Sequence, residues 1–208
     1  MHRQSTAGLK KKRSRLRILA ASARLFRERG LQGASVNELM GGAGLTRGGF
    51  YAHFRDKEDL VAAALHQMFD EAESNLLLDS AAEGEEWQRR ATSRYVSPAH
   101  LAAHDEGCLI PALSAELARG PIERRAIAAT RLSAILDAIQ RKLSSSQPDA
   151  TREDAIALLS SYVGALTLAR AVSMGPREDD ASSEASLERG LAEEILSAVK
   201  SKLRQRAI

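Results

Sequence analysis

The chain has one cysteine, Cys108, in 208 residues. That excludes an intramolecular disulfide framework and fits a cytoplasmic setting. Aromatic residues are few, with one Trp, three Tyr and four Phe. No runs alternate Val, Ile or Thr with polar residues, so no half-buried strand is expected. No apolar stretch reads as long enough to cross a bilayer, which takes about 20 residues. The N-terminus is basic but lacks an apolar core and a cleavage site, so no signal peptide is expected. Internal repeats and a phosphate-binding glycine loop are missing as well.

Ala, Leu, Arg, Glu and Ser dominate, and they favour helix over strand. The charge is distributed unevenly. Residues 1–57 carry 13 Lys/Arg against 3 Asp/Glu, a net +10, while the remainder carries −7, within an overall +3. A polyanion-seeking end and an acidic body follow from that asymmetry.

Apolar residues recur at Leu16, Leu19, Ala20, Ala23 and Phe26, which predicts a helix over residues 15–29 ended by Gly30 or Gly33. Residues 1–13 read as a disordered basic arm. Ser35 with Glu38 forms a capping box for a short second helix, with Gly44 as the turn. Thr46 caps a third helix to about His53, and Asp56 caps a fourth. Beyond it, helices are expected over residues 85–96, 107–120, 121–143, 151–174 and 183–206. Residues 97–107 read as a connection, and Thr151 with Asp154 as another capping box. The expectation is an all-α chain of about nine helices. Its domains are a helix-turn-helix domain at residues 14–60 and a larger helical domain at 61–208.

Leu25-Phe26 with Gly30, then Ser35-Val36, Ala43-Gly44-Leu45-Thr46, Gly48, Phe50-Tyr51, His53-Phe54, Lys57-Glu58 and Leu60 resemble the DNA-binding domain of the tetracycline-repressor (TetR) family. The resemblance is dense over about residues 14–65. Met40-Gly41-Gly42 departs from it, because glycine weakens the second half of the second helix. The resemblance implies a homodimeric repressor that leaves a palindromic duplex DNA operator when a small-molecule or thiol-reactive effector binds, with no membrane and no cofactor. It also implies that residues 61–208 are an effector-binding and dimerisation domain.

The third helix should enter the major groove by its N-terminal end. Arg47 is the one long donor there, suited to a guanine edge. Thr46 suits a phosphate, and Gly48 and Gly49 allow close backbone approach. Tyr51, His53 and Lys57 are further sugar or phosphate contacts, and Ser35 serves as cap or phosphate donor. Phe50 and Phe54 belong to the core, and the basic residues 10–13 can track an adjacent groove or the backbone.

In the second half, Cys108 stands just before a helix start, where amides and dipole favour a thiolate, although Asp105 and Glu106 oppose it. Gly107-Cys108-Leu109 with Leu113-Ser114-Ala115-Glu116-Leu117 resembles the segment around the reactive cysteine of electrophile- and oxidant-sensing members of the family. Packing is the other role open to Cys108. Trp87, Tyr95, Met68 and Tyr162, with Arg94 as a polar group, are candidates to line an effector pocket. His100, His104 and Cys108 stand at i, i+4, i+8, but Pro98 and Gly107 argue against one continuous helix and so against a metal site. An enzyme with Cys108 as nucleophile and His104 as base lacks an orienting third group. The last two helices carry apolar stripes suited to a two-fold interface, with Leu158, Leu159, Tyr162 and Leu166 on one and Leu191, Ile195 and Val199 on the other.

Overall fold

A computed structural model describes residues 6–77, 82–173 and 183–205, without the side chains of residues 7 and 183–186. Residues 1–5 of the expected arm, the loop from residue 175 and the helix ends expected at Met174 and Arg206 lie outside the described residues. Among the described residues there are nine α-helices, one 3-10 helix and no strand. In order these are α1 (Thr6–Arg29), α2 (Val36–Gly42), the 3-10 helix (Arg47–Ala52), α3 (Lys57–Leu77) and α4 (Gly84–Tyr95). Then come α5 (Pro98–Ala102), α6 (Leu109–Arg119), α7 (Ile122–Ser144), α8 (Arg152–Val172) and α9 (Ser183–Gln205).

Two compact units share the chain. The first takes Met1–Glu71 and Asp105–Ala129, the second Ala72–His104 and Thr130–Ile208. The boundary expected after residue 60 therefore differs, and α6 with the start of α7 joins the first unit. Residue 60 is one turn into α3, a helix with no breaker at that point, whereas α6 returns to the first unit from 50 residues away.

In the first unit the core is Ile18, Phe26, Leu31, Leu39, Met40, Phe50, Phe54, Leu60 and Leu65, all essentially inaccessible. Each such side chain stabilises the fold by about 1.5–3 kcal/mol relative to exposure. α1 begins at Thr6, not at residue 15, so Lys10, Lys11, Lys12 and Arg13 lie on a helix and not on a disordered arm. Leu, Lys and Arg are good helix formers, and Gly8 alone is too little to stop propagation from the packed half. Gly30, at φ +79°, donates from its N–H to the Phe26 carbonyl at 2.9 Å and so ends α1. A Cβ there would run into the Glu116 carboxylate, whose Oε2 accepts from the Leu31 N–H at 2.9 Å.

The second unit is centred on the buried stripe of α8, namely Ala155, Leu158, Tyr162, Ala165, Leu166 and Ala169. The capping box expected at its start is present, with the Thr151 N–H donating to the Asp154 carboxylate at 2.8 Å. α8 is also long and apolar enough by length and composition to cross a membrane, contrary to the expectation that no stretch is. A third of that apolar stretch is buried inside the structure. Residues 97–107 are not simply a connection. Ser97 accepts the His100 N–H on its side chain and Pro98 takes the first helical position, so α5 forms.

Candidate nucleic-acid interface

α2, its turn and the 3-10 helix build the candidate interface. Ser35 caps α2 reciprocally. Its N–H donates to Glu38 Oε2 at 2.8 Å, and the Glu38 N–H donates to Ser35 Oγ at 3.3 Å. Donation to the Glu38 carboxylate from the Ser35 N–H and from the Ser35 hydroxyl at 2.7 Å, and then the charge of Arg29, hold that carboxyl below its ordinary range. Gly41 and Gly42 do not unravel the helix, because its end is well made. The Leu45 N–H reaches the Met40 carbonyl at 2.9 Å and the Gly44 N–H reaches that of Gly41 at 2.8 Å. This is the paired bonding of a Schellman end, with Gly44 at φ +65°. A Cβ on Gly44 would stand 2.7 Å from the Arg17 guanidinium, which lies against the turn.

The expected third helix is present as a 3-10 helix, with Gly49 N–H to Thr46 O at 3.1 Å and His53 N–H to Phe50 O at 2.9 Å. Two successive glycines in six residues give an α-helix too little intrinsic support, and the tighter form is common in such short pieces. Thr46 occupies the cap position, but its side chain makes no capping bond, so that expected role is corrected. Thr46 is exposed, as are Arg47 and Gly48. Nothing lies within 4 Å of a Cβ built on Gly48, whereas one on Gly49 meets Met40 Cε at 3.6 Å. Gly48 thus leaves open surface, and Gly49 lies over the core.

Phe50 and Phe54 anchor the segment from below, their rings 5.8 Å apart. Tyr51 packs edge-on to Phe50 and is still 73% exposed. Lys57 Nζ donates to the Gln32 carbonyl at 3.5 Å. His53 is half-buried, its Nδ1 enclosed and without a partner. Burial first, then the positive charges of Lys11 and Arg15, keep its imidazole below the ordinary value.

That electrostatic effect exposes residues that the sequence reading missed. Arg15 lies over the Phe54 ring, 4.7 Å from its centre, and Arg17 covers the turn. Both stand beside the glycine-rich segment, although only their helical spacing from Lys11 hinted at a shared face. Lys10, Lys11, Lys12, Arg13, Arg15, Arg17 and Arg47 make no ion pair among the described residues. The cations farther along α1 are paired, Arg24 with Asp105, Arg27 with Glu71 and Arg29 with Glu38.

The expected effector residues divide between the units. Cys108 and Met68 belong to the first, Trp87, Arg94, Tyr95 and Tyr162 to the second. Cys108 is half-buried and caps α6 without a side-chain bond of its own to that helix end. In the second unit Tyr95 and Tyr162 stack at 5.1 Å, and the Tyr162 hydroxyl lies 2.7 Å from that of Thr92. Burial raises the Tyr162 phenol well above its ordinary range. Trp87 is enclosed, and its Nε1 has no partner. Arg94 points elsewhere, donating to the Leu76 carbonyl at 3.0 Å. A small cleft in this unit is lined instead by Gln88, Leu143, Gln147, Asp154, Leu158 and Leu203. α5 ends at Ala102 and Cys108 begins another helix, so His100, His104 and Cys108 do not share a helical face.

The expected interface stripe needs correction. Leu158, Tyr162 and Leu166 are buried within the chain's own second unit and have no surface to offer a partner. Both sides of α8 are apolar, and periodicity could not say which side turns inward. Leu159, Ile195 and Val199 are half-exposed and Leu191 exposed. The large apolar residues left most open on these helices are Ile156, Leu168 and Leu187.

Residues 18–64 match the family model of bacterial regulatory proteins of the tetR family. The HTH-type transcriptional regulator AcrR of Shigella flexneri is 38% identical over 63 residues, 30% of this chain and 27% of the relative. The HTH-type transcriptional repressor AcnR of Corynebacterium glutamicum is 44% identical over 57 residues, 27% of this chain and 30% of the relative. The match thus spans less than a third of either curated relative. Among solved structures, reduced NemR of E. coli has a TM-score of 0.69 at 19% identity, covering 92% of this chain and 95% of its own. A TetR-family regulator of Cytophaga hutchinsonii has a TM-score of 0.71 at 19% identity, covering 97% and 96%. These structures show the fold over nearly the whole chain, and the family model falls on the segment that carries the glycine turn and Arg47. Residues 18–64 are thus a DNA-binding segment of the tetR family of bacterial regulatory proteins, set in a chain that shares the fold of solved TetR-family regulators.

Proposed function

We propose that this protein is a homodimeric repressor that binds a palindromic duplex operator and is released by a small-molecule or thiol-reactive effector. The observation that carries the DNA-binding part is the set of unpaired cations beside the glycine turn, Lys11, Arg15, Arg17 and Arg47. Arg47 reads a guanine edge, and Gly48 lets the backbone approach. Thr46, Tyr51, His53 and Lys57 hold sugar and phosphate, with Gly49 and Ser35 supporting the segment. Lys10, Lys11, Arg15 and Arg17 extend phosphate contact along α1. AcnR, which matches over 57 residues, is a repressor by name.

Dimerisation is supported by the apolar side chains left exposed on α8 and α9, Ile156, Leu168, Leu187 and Leu191, with Leu159, Ile195 and Val199 beside them. Two reading heads about 34 Å apart would then meet successive major grooves. The effector acts through Cys108 or through the second unit around Trp87 and Tyr95. Duplexes selected from genomic DNA by the purified protein test the first claim, because binding must weaken steeply as salt rises. Binding insensitive to salt would defeat it. Release by a thiol-reactive compound that persists in Cys108→Ser would remove direct thiol sensing.

A further inference from the structure

Arg124 lies in the first turn of α7 and is only 6% exposed. Its guanidinium grips the carboxylate of Glu58 in the first turn of α3. Nε donates to Oε2 at 3.0 Å and Nη2 to Oε1 at 2.6 Å. A cation in a helix's first turn opposes the helix dipole, so packing of α7 alone gives no reason for it. The Glu58 side chain is 57% exposed and directly follows Lys57. The neighbouring carboxylates are otherwise occupied. Asp56 accepts the Asp59 N–H at 2.8 Å, and Asp59 accepts the Arg55 N–H at 3.0 Å.

We infer that Arg124 is a positioning residue for DNA binding, because it neutralises and holds back the one carboxylate beside Lys57 that the helix start does not itself tie down. Without it, Glu58 would present a negative charge where the reading above brings a phosphate to Lys57. The inference rests on that reading and adds a residue that touches no DNA.

The test compares the full-length parent with R124Q, R124K and R124Q/E58Q. Fluorescence anisotropy follows a labelled duplex that the parent selects from a random-sequence pool. R124Q binds about five- to tenfold more weakly at low salt, the size of one like-charge pair in a watery setting, and the deficit shrinks as salt screens it. R124K recovers most of the loss. The double variant also recovers it, because the unmasked carboxylate is gone. A merely structural role would leave R124Q/E58Q as weak as R124Q at every salt concentration, and that result overturns the inference. Where R124Q does not fold, E58Q decides. It keeps the cation, loses the carboxylate and binds about fivefold tighter than the parent at low salt, and equal or weaker binding overturns the claim. A parent with no salt-dependent duplex binding would sink the underlying reading instead, and the inference with it.

Discussion

The basic end of the first unit and the second unit use arginine differently. In the second, Arg131 pairs with Glu73, Arg152 with Asp137, and Arg170 donates to the carbonyls of His100 and Ala103 at 2.9 and 3.0 Å. Lys142 likewise reaches Glu83 and the Ala82 carbonyl. In the first unit the N-terminal half of α1 and Arg47 leave their charges without acidic partners among the described residues. A paired cation holds its own fold together. An unpaired row of them raises the self-energy of the unit and is relieved only by an outside polyanion. The difference in partners, more than the number of positive residues, marks the proposed DNA-binding surface.

The sharpest way to break that comparison is a pair of substitutions. Arg47→Ala should weaken operator binding by about 1–3 kcal/mol, the value of one base-reading contact, with melting temperature unchanged. Arg170→Ala should lower the stability of the second unit by about 1–3 kcal/mol, because it leaves two carbonyls without their donor. Urea denaturation and DNA titration of both proteins check the pair. Equal effects on both measurements would erase the distinction.

Gly41 and Gly44 offer the next contrast. Gly44→Ala forces a left-handed backbone onto alanine and crowds Arg17, so it should destabilise the first unit by about 1–2 kcal/mol. Gly41→Ala, in α2 with open space around it, should stabilise by up to about 1 kcal/mol. Thermal melts followed by circular dichroism decide both.

Neutralising Lys11 and Arg15 together should flatten the dependence of log affinity on log salt by about one unit per lost phosphate contact. The same double change to Arg89 and Arg90, which pair with Glu86, should leave that slope unaltered.

The smallest expected effect is a pH dependence. Burial, and then Arg170, keep His100 below its ordinary 6.5, although its contact with the Tyr95 carbonyl works the other way. The unfolded chain therefore takes up this proton first as pH falls. The stability that His100 contributes is full above about 6.5 and is lost as pH drops toward its folded value. Melts between pH 7.5 and 5 should show a smaller fall for His100→Asn than for the parent, and parallel curves would remove the effect.

Much of this was legible because it is local. The Ser35–Glu38 and Thr151–Asp154 boxes, the turn at Gly44 and the ends of α2, α4 and α6 depend on residues a few positions apart. α5 was misread because Pro98 signals a break as readily as a first helical turn. The 3-10 form of the Arg47–Ala52 segment was missed although Gly48 and Gly49 weaken an α-helix there, because that weakening does not by itself say which helical form results. Arg124 and Glu58 are 66 residues apart, and nothing in either segment points to the other.

The sequence by itself determined the helical composition, the caps, the glycine turn and the basic end, since each follows from backbone preference or charge within a turn or two. Only the tertiary structure decided which side of α8 is core, which cations keep a free charge and which arginine guards Glu58. Those outcomes depend on burial and on partners distant along the chain, where an apolar stripe or a positive side chain reads the same whether it faces inward or out.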